Sequence, residues 1–307
     1  MTVDLSTSLC DVNFANPVFV ASGTFGYGTE TEDLVDASEL GAIVTKSITK
    51  YPREGNPPPR IVETPSGMIN SIGLANIGVD KYIEEMLPFY ENIETQVITN
   101  IAGFSIDDYL HVLEKLESSD GTVCGYEINI SCPNVEAGRI EFAVNPNLTK
   151  ELTQALRSAT EKLLILKLSP NVTDIGEIAA AAVEGGADVL SAVNTLFGMS
   201  IDTATRRPNV NTNIGGLSGP SIRPVGIASV FKISKSVDVP IIGIGGIKSA
   251  KDVVEYLLAG ASAVQVGTAN YRDAAIVTKI INDLTTYCEE NGIATISEII
   301  GGVEPYD

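Results

Sequence analysis

The sequence predicts an α/β protein of the (β/α)8 class, a TIM barrel with loop insertions at its C-terminal face. Three observations carry that expectation. Eight short aliphatic runs recur along the 307 residues, each followed by a stretch of helical periodicity. The runs are nearly continuous in apolar residues, which suits strands buried on both faces and hence a parallel sheet. Gly-Ala pairs at 41–42, 186–187 and 260–261 stand just ahead of three runs, where a glycine can close the preceding helix in a left-handed cap. A doubly wound open sheet is the alternative.

Taken in order, the expected strands are 18–22, 42–46, 96–101, 126–130, 163–168, 189–193, 241–244 and 263–266. The helical patterns between and after them are 32–40, 80–91, 106–116, 149–159, 174–184, 221–236, 250–259 and 273–288. Two connections are too long to be simple turns. One, 49–79, carries Pro52, Pro57, Pro58, Pro59 and Pro65, and the other, 196–220, carries Asn, Thr and Gly with Arg206-Arg207. Both are expected to be structureless functional loops leaving the C-terminal ends of strands, where barrel enzymes keep their sites. A third, 132–146, is placed to close over whatever strand four presents. Neither an internal repeat nor an interdomain linker shows, so one domain is expected over 1–307.

The fourth strand is the most informative. Ile128 and Ile130 alternate with Glu127, Asn129 and Ser131, and Pro133 then ends the run because it cannot donate to a ladder. Cys132 thus sits where a strand meets a loop, flanked by the carboxamides of Asn129 and Asn134. That setting marks it as a candidate catalytic proton acceptor.

Composition narrows the class. Net charge is −19, from 39 acidic and 20 basic residues, which argues against nucleic acid as a partner. It suits a highly soluble enzyme. Apolar residues make up 44%, yet no apolar run approaches the roughly 18 residues of a membrane span. The start, Met1-Thr2-Val3-Asp4, lacks a secretory signal's basic and apolar segments, so the expected location is cytoplasmic. Cys10, Cys124, Cys132 and Cys288 form no C-x-x-C pair, and no metal or iron–sulfur site is expected within this chain. The lone histidine, His111, falls in a helical stretch and is read as an ordinary helix residue.

Amides, hydroxyls and two lysines crowd the strand ends. They are Ser22-Gly23-Thr24, Thr45-Lys46-Ser47, Thr99-Asn100, Asn129 to Cys132, Lys167-Leu168-Ser169, Val193-Asn194-Thr195, Gly245-Gly246 and Gly267-Thr268. In an acidic chain, lysines at strand ends are candidates for an anionic ligand. Glycines after strands seven and eight leave bare N–H groups at the usual phosphate position of such barrels. Gly23 to Gly28 read G-T-F-G-Y-G, whose order is not G-x-G-x-x-G, so no Rossmann fold is expected.

Nine motifs then share one resemblance. They are A-S-G-T-F-G-Y-G at 21–28, G-N-P-P-P-R at 55–60, N-S-I-G-L at 70–74, N-I-S-C-P-N at 129–134, K-L-S-P-N-V-T-D at 167–174, V-N-T at 193–195, G-G-L-S-G-P at 215–220, G-I-G-G-I at 243–247 and V-G-T-A at 266–269. In this order the chain resembles dihydroorotate dehydrogenase of class 1, most closely the NAD-linked class 1B. The resemblance implies oxidation of dihydroorotate to orotate in pyrimidine biosynthesis, with Cys132 as the base at C5 and hydride passing from C6 to FMN. It implies FMN contacts from Ser22, Lys46, Ser47, Asn100, Asn129, Lys167, Val193, Gly219, Gly245, Gly246, Gly267 and Thr268. Substrate contacts would come from Lys46, Asn70, Ser71, Ile72, Gly73, Leu74, Asn129, Asn194 and Thr195. It further implies a homodimer joined to an electron-transfer subunit carrying FAD and a [2Fe–2S] cluster, a heterotetramer that delivers electrons to NAD. A fumarate-linked class 1A enzyme and a related dihydropyrimidine dehydrogenase are the alternatives.

Overall fold

A computed structural model describes residues 3–119, 121–131 and 142–306 of the chain. Eight parallel strands close a barrel in sequence order: Val18–Val20, Ala42–Val44, Gln96–Ala102, Gly125–Asn129, Leu163–Leu168, Val189–Ala192, Ile241–Ile244 and Ala263–Val266. Each expected run is a barrel strand, and the closed order rules out the open sheet. The register places Asn129 beside Lys167 and Lys167 beside Ser191.

Period two along the strands divides the interior into layers. Ile98, Ile165, Val189 and Ala263 belong to an apolar layer capped by Leu9 and Phe14. These two come from an antiparallel hairpin, Thr7–Leu9 with Val12–Phe14, which closes the N-terminal end. Two residues further along the same four strands stand Asn100, Lys167, Ser191 and Gln265, all buried. The barrel is therefore oil at its base and polar toward the C-terminal rim.

The outer helices follow from apolar stripes and caps. In Ile106–Glu117 the buried positions are Tyr109, Val112, Leu113 and Leu116, one face at helical spacing. Ser105 caps this helix by accepting from the Asp108 N–H, and Ser249 does the same for Ala250–Leu258. The other helices are Pro146–Arg157, Ile175–Glu184, Arg223–Ser234 and Ile276–Glu290. Among the described residues no helix is long and apolar enough to cross a membrane.

Four expectations require correction. The helix expected at 32–40 is replaced by two 3-10 turns, Thr29–Thr31 and Ala37–Glu39. Glu32, Asp36 and Glu39 would repel one another at helical spacing, and no basic residue offsets them. The helix expected at 80–91 breaks into Val79–Glu85 and Leu87–Tyr90, because Pro88 cannot donate back one turn. Gly186 and Gly260 do take left-handed caps, at φ 99° and 112°, but Gly41 does not. A side chain at Gly41 would run into the Asn16 carbonyl, so close packing, not a helix cap, demands glycine there.

The largest correction concerns the long connections, which are not structureless. Strands Ile61–Thr64 and Gly67–Asn70 come from the first, and Leu196–Gly198 and Gly215–Ser218 from the second. Together they form one antiparallel sheet, with Gly67–Asn70 paired to Gly215–Ser218. A smaller pair, Ile201–Asp202 with Arg207–Pro208, extends the second insertion. The two insertions therefore brace each other.

Candidate active site

Strand four presents Glu127 and Asn129 on its inward face, as the alternation with Ile128 and Ile130 predicts. Glu127 is fully buried and accepts from four strands. Its Oε1 takes Asn100 Nδ2 at 2.7 Å and Lys167 Nζ at 3.3 Å. Its Oε2 takes Ser191 Oγ at 2.9 Å and Gln265 Nε2 at 2.6 Å. Ser47 Oγ donates to Asn100 Oδ1 at 2.5 Å, so a continuous chain runs from Ser47 through Asn100 and Glu127 to Lys167. Three residues expected at the site are thus joined by one that sequence reading did not single out. The signal was present in retrospect: a carboxylate inside an apolar strand, two residues before Asn129.

A second network sits nearer the rim. Asn194 Nδ2 donates to Asn129 Oδ1 at 3.1 Å, and the Asn194 carboxamide accepts the Thr195 N–H at 2.8 Å. Asn171, also not anticipated, donates to the Thr195 carbonyl at 2.8 Å and accepts the Phe197 N–H at 3.0 Å, fixing the turn after strand six. A side chain on Gly216 would collide with Thr195, and Asn70 Nδ2 donates to the Gly216 carbonyl at 3.4 Å. The insertion sheet in this way carries Asn70 toward Asn194 and Thr195. Ser71 to Leu74 form the next turn, with Gly73 and Leu74 at positive φ. Asn56 holds it, donating through its N–H to the Ile72 carbonyl and through Nδ2 to the Ser71 carbonyl, both at 3.0 Å.

Gly219, Gly246 and Thr268 converge at the ends of strands seven and eight. A Cβ on Gly246 would lie 2.8 Å from the Gly219 carbonyl, and one on Gly219 would lie 2.7 Å from Gly67 Cα. Ser218 and Thr268 hydroxyls bond at 2.8 Å beside them. Gly245 and Gly267 stand on the same turns, and the buried Val193 donates its N–H to the Ile244 carbonyl at 3.0 Å. The helix after Gly219 begins at Arg223, whose guanidinium is held by Asp252 and Glu255.

Two expected residues stay apart from these networks. Among the described residues, the side chains of Ser22 and Lys46 have no hydrogen-bond or ion-pair partner. Lys46 is half-buried. Among the described residues, the buried hydroxyls of Ser71 and Ser131 also lack partners. Cys132 lies outside the described residues. Strand four, which leads to it, ends at Asn129, whose Oδ1 accepts the Ser131 N–H at 3.2 Å. Burial pushes the Cys124 thiol up to about 12 and raises those of Cys10 and Cys288, so these three are held protonated at neutral pH.

The donor set fits a flavin mononucleotide. Bare backbone at Gly219 and Gly246 beside paired hydroxyls suits its phosphate. Lys167 and the Ser131 hydroxyl, which has no partner among the described residues, suit the polar edge of its ring.

The family model for dihydroorotate dehydrogenase matches residues 4–287. A protein from Geotalea uraniireducens (strain Rf4) is 50% identical over 300 residues, covering 98% of each chain. One from Bacteroides thetaiotaomicron is 46% identical over 301 residues, covering 98% of this chain and 99% of that one. One from Desulforamulus reducens is 47% identical with the same coverage. All three are named dihydroorotate dehydrogenase B (NAD(+)), catalytic subunit. The rim of carboxamides, the glycine cradle and near full-length identity agree: the chain belongs to the dihydroorotate dehydrogenase family, in its B class.

Proposed function

We propose that the chain is the catalytic subunit of an NAD-linked dihydroorotate dehydrogenase, oxidising (S)-dihydroorotate to orotate. The observation that carries the reading is the pairing of an uncompensated, half-buried Lys46 with the linked carboxamides Asn129 and Asn194 on one rim. Dihydroorotate carries one carboxylate and a ring of alternating N–H and C=O. A lysine without a partner among the described residues meets the first, and carboxamides, each both donor and acceptor, meet the second. Uracil-type rings lack the carboxylate and would leave Lys46 unsatisfied.

Bound FMN would supply the hydride acceptor for C6 of the substrate, held by Ser22, Lys46, Ser47, Asn100, Asn129, Lys167, Val193, Gly219, Gly245, Gly246, Gly267 and Thr268. Asn70 to Leu74, Asn194 and Thr195 would orient the substrate ring. Cys132 takes the C5 proton. Support for that role is its sequence position, three residues after Asn129, where strand four ends, and the raised pKa of the other three thiols. An ordinary thiol is only a few per cent ionised at neutral pH, so turnover should rise with pH. Electrons leave through a partner subunit that carries FAD and a [2Fe–2S] cluster, in a heterotetramer built on a homodimer. The relatives' description as catalytic subunits supports such a partner.

The test is Cys132→Ala. It should abolish orotate formation while the protein keeps its FMN band near 450 nm, and unchanged turnover would overturn the assignment. Offering NAD, fumarate and a dye in turn to the isolated chain completes it: NAD reduction without the partner would refute the two-subunit reading.

A further inference from the structure

The two rim lysines differ in a way their positions in the sequence do not reveal. Lys46 is half-buried and has no partner among the described residues. Lys167 is 6% exposed and faces a carboxylate with no exposure at all. Glu127 is in turn saturated. Its two oxygens receive one donor each from strands three, five, six and eight, at 2.6 to 3.3 Å. A carboxylate held by four strands has one available position. Whatever it does to Lys167 is built into the barrel.

We propose that Glu127 is a positioning residue that acts through Lys167. Its carboxylate fixes the ammonium and offsets its charge as felt at the rim, so that the flavin ring meets a dipole rather than a full cation. The inference rests on the FMN-dependent function proposed for the chain. A bare lysine beside the ring would stabilise negative charge on it and raise its reduction potential. An enzyme that passes electrons onward to a pyridine nucleotide needs a ring that releases them readily. The buried counter-ion keeps the potential low while Lys167 still supplies a directed donor. Lys46, left unpaired, keeps its full charge for an anionic substrate.

Glu127→Gln tests this with little change of shape. Gln265 Oε1 has no partner in the native structure, so its amide can turn over and accept from the new amide nitrogen. The Ser191 hydroxyl can rotate. The main change is then the loss of the charge. In the full chain with FMN bound, equilibration against redox dyes should show a more positive potential. The ratio of reduced to oxidised flavin at fixed solution potential should change on the order of tenfold, about 30 mV for a two-electron couple. A packing role would leave the potential where it was, and an unchanged or more negative potential overturns the proposal. If Glu127→Gln loses its fold, the double variant with Lys167→Met decides. Removing one member of a buried pair leaves an uncompensated charge, and removing both restores balance. A thermal melt of the FMN-free double variant that recovers toward wild type supports the pairing, and one as low as the single variant overturns it. Wild-type protein that binds no FMN would sink the functional reading, and this inference with it. A flavin-loaded wild type whose potential matches that of the variant would sink this inference alone.

Discussion

Lys46 is a half-buried lysine at the rim whose ammonium has no counter-ion among the described residues, which leaves it free for an anionic ligand. Lys46→Ala, reloaded with FMN, should therefore weaken orotate binding by about 1.5–3 kcal/mol, roughly ten- to a hundredfold. Titrating orotate into the flavin-loaded protein and following the flavin band checks this, and an unchanged dissociation constant would remove Lys46 from the substrate site. At this scale, what the sequence revealed was residues that end strands, because strand ends are marked locally by a change from aliphatic to polar. Glu127 escaped notice for the complementary reason. Its partners Asn100, Lys167, Ser191 and Gln265 lie 27, 40, 64 and 138 residues away, and only barrel closure brings them together.

Among the elements, legibility tracked the range of the forces involved. The helix beginning at Pro146 was expected only from 149, although Asn145-Pro146 is a strong start signal: a capping carboxamide, then a proline whose missing N–H is not needed there. Asn145 accepts from the N–H groups of Asn147 and Leu148 at 3.0 and 3.2 Å. Asn145→Ala should cost about 1 kcal/mol of stability. The urea midpoint should fall with an unchanged slope, and an unchanged midpoint would mean that the cap is idle in solution. The strands of the second insertion were missed because the pairing that anchors them is not local. Gly215–Ser218 alternates no better than a loop, and it becomes a strand only against Gly67–Asn70, whose Asn70 bonds Gly216 across 146 residues. Proline content argued for irregular backbone and was right for 52–59, which carries the cis Pro58–Pro59 peptide. It was wrong for Ile61–Thr64 and Gly67–Asn70, which pair with each other around Pro65.

For the whole molecule, charge and burial act together at high pH. The net charge of −19 already opposes compaction at neutrality and grows as further groups ionise. Burial pushes the Tyr82 phenol up to about 12 and raises those of Tyr90, Tyr126 and Tyr256 as well. It pushes the Cys124 thiol up to about 12, well above the ordinary thiol range. These are acids whose folded-state pKa lies above the unfolded one, so between the two values the folded chain holds more protons. Stability must then fall as pH rises, beginning near pH ~9 for the thiol and near pH ~10 for the phenols. At pH ~10.5 each buried tyrosine should contribute a loss on the order of 1 kcal/mol relative to pH ~8. The acid side offers no such agreement, because protonating carboxylates relieves repulsion while weakening caps such as Asp174, whose carboxyl is held low by Lys232 and the Gly176 N–H. The alkaline limb is thus the clean measurement. Urea midpoints should drop between about pH 8 and pH 10.5, and added salt should restore only the part due to net repulsion, since buried phenols are poorly screened. A midpoint that holds steady over that interval would mean that these tyrosines reach water in the native state, and that the packing between barrel and helices is looser than the burial of Tyr82, Tyr126 and Tyr256 requires.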